Sequence, residues 1–222
     1  MRLKNGRPVW TDAKSAAEAV EIQRKLADRV FQNPFAGEIE FVAGADVHST
    51  GGGKLRAVVS VLSFPSLEVV EDCFVETSPR FPYVPGLLSF REAPPLLECF
   101  KKLKTWPQAA LFDGQGVAHP RRFGLASHLG VLLDLPSIGC AKSRLFGACA
   151  EPDDKKGAKA DILDGEGRVI GAVLRTRENV RPVYVSLGHK VSLGQAVAVV
   201  MACVTRYRIP EPLRRAHGLA KG

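Results

Sequence analysis

Three short runs between residues 109 and 141 constrain the fold more than any other part of the chain. Residues 109–112 read as an apolar strand, 123–133 as a helix and 137–141 as a second strand. A strand, a helix and a strand joined this tightly form a right-handed crossover between parallel strands. Upstream, 39–48, 55–64 and 67–76 read as strands. The Gly51-Gly52-Gly53 and Pro65-Ser66 turns join them into an antiparallel meander. Downstream, 159–163 and 168–176 flank the turn Asp164-Gly165-Glu166-Gly167, and 183–187 is a further strand. The expected fold class is therefore α/β, one central sheet of mixed direction with helices on both faces.

The helices follow from apolar spacing and caps. Thr11-Asp12 caps a first helix over 13–31, ended by Asn33-Pro34, with Ala19, Ile22, Leu26 and Val30 on one side. A second helix follows Pro82-Tyr83-Val84-Pro85-Gly86 and is expected to break at Pro94-Pro95. Ser192 caps a helix over 192–207, and Glu211 to His217 reads as a Pro-flanked, Arg-rich turn. Residues 151–159 are charged and read as a loop. At 222 residues the chain is expected to be a single domain, 1–222.

Two apolar runs each deliver a carboxylate, Asp46 after Phe41–Ala45 and Asp113 before Gly114-Gln115-Gly116. Alternation in a strand turns Asp46 away from Ala45 and Val47, and Asp113 away from Phe112. A buried carboxylate is costly unless paired or metal-bound. One such residue is better explained as a strand-end cap or an ion-pair partner. Two of them make a hard-cation site an even alternative, and oxygen ligands suit Mg²⁺ or Mn²⁺ over zinc. Glu92, after Arg91, is a candidate third carboxylate, though spacing alone favours a solvated helix residue. Lys142 follows the strand expected beside that of Asp113. His119, Arg121 and Arg122 follow the Asp113 turn as a basic rim, and His128 reads as a core histidine.

The net charge of +8 favours a polyanionic partner. Pro82 and Pro85 stiffen a loop whose Tyr83 and Val84 form an apolar tip. Such a tip either packs on the core or serves as a wedge between base steps. Five cysteines without CxxC spacing argue against a disulfide framework or a zinc site, and fit a reducing cytoplasm. Cys140 and Cys203 lie in apolar runs and are expected to pack as small hydrophobes. No signal core precedes the first helix, and the longest apolar stretch, 196–204, is too short to span a bilayer.

Six segments together resemble the endonuclease V family. They are GADV around Asp46, PYVPGLLSFRE from Pro82, FDGQGVAHPRRFGLASHLG from Phe112, GCAKSRLFG from Gly139, VYVSLGHKVSL from Val183 and YRIPEPLRRAH from Tyr207. They run in family order through most of the chain. The resemblance implies an RNase H-like fold and a Mg²⁺-dependent DNA-repair endonuclease in which Mn²⁺ may substitute. That enzyme nicks at the second phosphodiester bond 3′ to deoxyinosine and leaves the lesion in place.

By the same resemblance Asp46, Asp113 and Glu92 are metal-binding and catalytic, and Lys142 and His217 are catalytic. Pro82, Tyr83, Val84, Arg91, His119 and Arg121 make up the DNA-contacting set. The implied partner is DNA containing deaminated bases, with no membrane, and a monomer is expected. His48-Ser49, Cys140 and Leu187 depart from the family pattern at packing level and leave the acidic set intact. Two other activities compete with this one: an endoribonuclease for inosine-containing RNA, and a non-catalytic nucleic-acid-binding module.

Overall fold

The structure is a computed structural model. It describes residues 10–222 and, before them, the backbone pairing of β1 (Leu3–Lys4) with β2 (Arg7–Pro8). β3 (Phe41–Ser49), β4 (Leu55–Ser63) and β5 (Val69–Thr77) form the expected meander. β6 (Ala109–Phe112) and β7 (Ser137–Ala141) are parallel to β3 and to each other. β8 (Lys159–Leu163), β9 (Val169–Leu174) and β10 (Val183–His189) complete an eight-stranded sheet in the order β5-β4-β3-β6-β7-β10-β9-β8. This mixed α/β architecture is consistent with an RNase H-like fold.

Alternation along β3 sends successive residues to two separate cores. Ala43 and Ala45 pack with Ala93, Leu96 and Phe100 of α2 (Leu88–Lys102) and with Leu125 and Leu129 of α3 (Leu125–Leu133). Val42, on the opposite face, shares a cluster with Val199 and Val200 of α4 (Leu193–Ala202) and Leu213 of α5 (Glu211–Lys221). α1 (Ala16–Ala27) lies outside the first layer, its Leu26 against Phe123 and Val131. Among the described residues, no helix is long and apolar enough to cross a membrane. All five cysteines are free, and Cys140 and Cys203 are buried as expected.

Several boundaries differ from the expectations. α1 is capped by Ser15 and stops at Ala27. Beyond it, Phe31 N–H donates to His189 Nδ1 at 3.2 Å, and Lys190 N–H donates to the Phe31 carbonyl at 2.6 Å. These bonds draw the chain out of helical geometry. Pro94 and Pro95 lie inside a continuous α2 instead of breaking it. Phe90 and Ala93 before them and Leu96 and Phe100 after them are all buried. That packing outweighs the interior-proline cost of about 3 kcal/mol. α4 ends at Ala202, because the next carbonyl bonds elsewhere: that of Cys203 accepts from Glu211 N–H at 2.8 Å. The segment read as an Arg-rich turn is a helix, α5, whose Leu213, Ala216 and Ala220 are buried.

Candidate active site

The parallel register of β3 and β6 brings the two aspartates together. Ala45 pairs with Phe112, and Asp113 N–H donates to the Ala45 carbonyl at 3.2 Å, so Asp113 emerges beside Asp46. β7, parallel to β6, ends at Ala141 and delivers Lys142, whose Nζ contacts Asp113 Oδ2. From the opposite direction α5 carries His217, its Nδ1 2.7 Å from Asp46 Oδ2. α5 reaches this place because Gly44 has no side chain. A Cβ there would overlap the Pro212 carbonyl group.

Ligand atoms of Asp46, Asp113 and His217 all lie within 4.8 Å of one another. Burial, then the neighbouring Asp113 charge, raises the Asp46 pKa above the ordinary carboxylate range, against the opposing His217 hydrogen bond and the charges of His217 and Lys142. Glu92, half-buried on α2, is pushed up to about 8, first by burial and then by Asp46 and Asp113. It is thus electrostatically coupled to both aspartates while standing outside the close triad. Crowded carboxylates that resist ionisation are the donor set a hard divalent cation satisfies. The residues present fit such an ion.

Beside Asp113 lies a cavity of about 340 Å³, lined by Tyr83, Gly86, Gln115, His119 and Lys142 among others. Tyr83 is 69% exposed at the tip of its loop, with Pro82 exposed and Val84 half-buried. Arg91 donates from Nη1 to the Phe81 carbonyl at 3.2 Å, so it holds the loop from below. His119 is buried, its ring 2.9 Å from the Gly86 carbonyl, and Arg121 Nη2 donates to the same carbonyl at 2.7 Å. Both therefore stand beneath the loop and not on an open rim. Burial pushes the His119 pKa down to about 4. His128 is a core histidine as expected, its Nδ1 3.0 Å from Ser89 Oγ.

Two residues at the site carry roles that sequence reasoning missed. Gln115 donates from Nε2 to the Ser143 carbonyl at 3.0 Å, while its buried Oε1 has no hydrogen-bond partner among the described residues. Gln23 of α1 reaches the Gly86 carbonyl at 3.1 Å from far along the chain. The DGQG string offered a signal for Gln115; nothing local offered one for Gln23.

Comparison with known proteins gives consistent matches. The Endonuclease V family model matches residues 24–218. Endonuclease V from Roseiflexus sp. is 53% identical over 206 residues, covering 93% of this chain and 92% of that protein. The crystal structure of endonuclease V from Streptomyces avermitilis superposes with a TM-score of 0.88 at 40% identity, covering 98% of this chain and 94% of the other. That of Ciona intestinalis endonuclease V superposes with a TM-score of 0.81 at 29% identity, covering 92% and 95%. The Ciona protein is in complex with a 24mer DNA containing an inosine followed by a ribo-adenosine.

Proposed function

The chain belongs to the endonuclease V family of nucleases, and from that premise we propose that it nicks DNA at the second phosphodiester bond 3′ to deoxyinosine. The observation that carries this reading is the meeting of Asp46, Asp113 and His217 beside the cavity walled by Tyr83 and Gln115. Asp46 and Asp113 would hold Mg²⁺, with Mn²⁺ as a substitute and Glu92 as the third carboxylate. When bound, the ion supplies Lewis-acid polarisation of the phosphate and a lowered pKa for water. His217 is oriented through Nδ1 by Asp46, which leaves Nε2 to hold or pass a proton at the attacking or leaving oxygen. The Lys142 ammonium offsets charge developing on the phosphate.

Tyr83 separates the strands, and the deaminated base leaves the stack for the cavity. A weakly paired base is the cheapest to extrude, which gives selectivity before any contact is made. Hypoxanthine differs from adenine in carrying a donor at N1, and the unpartnered Gln115 Oε1 is an acceptor in the cavity wall.

The test is nicking of a defined inosine duplex, with and without Mg²⁺, with the cut mapped to the nucleotide. The expected product ends at the second bond 3′ to the lesion. Asp113→Ala should lose about a thousandfold in rate, some 4 kcal/mol of barrier. Metal-independent nicking, or near-wild-type activity in Asp113→Ala, refutes the assignment. The ribo-adenosine in the Ciona complex favours one second reading, cleavage of inosine-containing RNA. Matched deoxy and ribo substrates in competition decide between the two.

A further inference from the structure

We propose that Gln23, on α1, is a positioning residue for the strand-separating loop, acting through the carbonyl of Gly86. This rests on the reading of Tyr83 as a wedge. The loop Pro82–Pro85 has two ends. At the first, Phe81 is buried against Ala19 of α1 and Phe90 of α2, and its carbonyl accepts from Arg91 Nη1 at 3.2 Å. At the second, the Gly86 carbonyl is the target of three side chains: Gln23 Nε2 at 3.1 Å, His119 Nε2 at 2.9 Å and Arg121 Nη2 at 2.7 Å.

The chemistry of this hub is determined by its partners. His119 Nδ1 accepts the Arg121 backbone N–H at 3.2 Å, so the proton sits on Nε2 and is donated to Gly86. The buried imidazole stays neutral and keeps that tautomer. Gly86 itself has φ of 76°, a left-handed conformation, and a Cβ there would lie 2.9 Å from Arg121 Nη2.

Gln23 binds the three parts together. Its Nε2 also donates to the Phe123 carbonyl at 3.1 Å, and its Oε1 accepts from Arg121 Nε at 2.6 Å. It is 1% exposed, with its side chain at the back of the cavity wall and its polar atoms turned to these protein partners. A buried glutamine needs hydrogen-bond partners, and any pair of core carbonyls would satisfy one. This one is spent on the foot of the wedge and on the arginine that grips the same foot. A loop held at both feet need not be ordered when it enters the duplex, which removes an entropic cost of binding.

The experiment compares inosine in a duplex with the same inosine in a single strand, which needs no strand separation. Gln23→Met keeps the length of the side chain and removes all three bonds. Gln23→Glu keeps the acceptor for Arg121 and removes both donors. Single-turnover nicking of the duplex should fall about tenfold in each, the loss of one buried hydrogen bond's positioning. Single-strand nicking should be unchanged, with the melting temperature recorded for each variant. Equal loss on both substrates, or no loss in either variant, overturns the inference. Tyr83→Ala serves as the control for the underlying reading. If it leaves the duplex-to-single-strand ratio unchanged, the wedge fails. If it shifts the ratio while the Gln23 variants do not, the wedge stands and the role of Gln23 falls.

Discussion

Replacing Gly44 with alanine should separate His217 from Asp46 without touching either residue. A Cβ at position 44 would lie 2.5 Å from the Leu213 amide nitrogen, as well as overlapping the Pro212 carbonyl group. Comfortable separation is about 3.5 Å, so α5 must lift by at least about 1 Å. Relief from the other side is blocked, because Ala43 and Ala45 are fully buried against α2. All three clashing atoms are backbone, so no rotamer change absorbs the strain. His217 rides the same rigid helix, and its 2.7 Å bond to Asp46 would stretch to about 3.7 Å, beyond hydrogen-bonding reach.

Two effects then follow with different sizes. Overpacking costs about 1–3 kcal/mol of stability. Misplacing a catalytic group by about 1 Å costs on the order of a hundredfold in rate. The assay is single-turnover nicking of the inosine duplex in saturating Mg²⁺, well below the melting temperature, with denaturant unfolding measured in parallel. A folded Gly44→Ala protein that nicks at the wild-type rate refutes the reasoning. So does a rate loss that equals the unfolded fraction, since the effect would then be stability alone.

Two further outcomes follow from the electrostatics. Glu92 has its pKa raised by folding from 4.5 to about 8, so the folded state favours the protonated carboxyl. Its contribution is fully present below pH 4.5 and is lost as pH rises through about 8. Glu92→Gln should therefore be the more stable protein near pH 8 without metal, by an amount on the order of a few kcal/mol. Parallel stability–pH profiles for the two proteins would count against this. Lys142→Met removes the ammonium that contacts Asp113. It should lower the Mg²⁺ concentration needed for half-maximal rate while cutting the saturated rate about tenfold or more. A weaker metal requirement without any rate loss would leave Lys142 with no part in the chemistry.

How much of this was legible depends on how local each signal is. Alternation in β3 to β5 and the compact crossover from β6 to β7 need only neighbouring residues, and both were readable. Parallel neighbours predicted Lys142 beside Asp113, whereas the meeting of Asp46 with Asp113 was only an even alternative, because the pairing of β3 with β6 joins segments far apart in the chain. His217 entered through family resemblance alone, since α5 was read as a turn. Pro210 and Pro212 suggested a break, yet proline in the first turn is a helix-start signal, and Leu213, Ala216 and Ala220 keep a helical spacing. Pro94-Pro95 misled for the opposite reason: tertiary burial overrode local propensity. Glu92 looked solvated because its burial comes from the convergence of α2 with two distant strands. Gln23 was invisible, because its meaning lies in a carbonyl 63 residues away.

The electrostatics of the site follow from the same convergence. The chain carries a surplus of basic residues, +8 in net charge, yet it leaves Asp46 and Glu92 with raised proton affinity. A buried lysine beside them would have offset their charge. Instead the cation that meets Asp113 is Lys142, an exposed side chain free to turn towards an incoming phosphate. Its departure would return full negative charge to the aspartates at the moment a phosphate brings more. A divalent ion relieves both charges at once, so ion and phosphate should each make the other's binding stronger. The positive exterior gathers the polyanion. The crowded carboxylates should then favour binding of the nucleic acid together with the ion over binding without it.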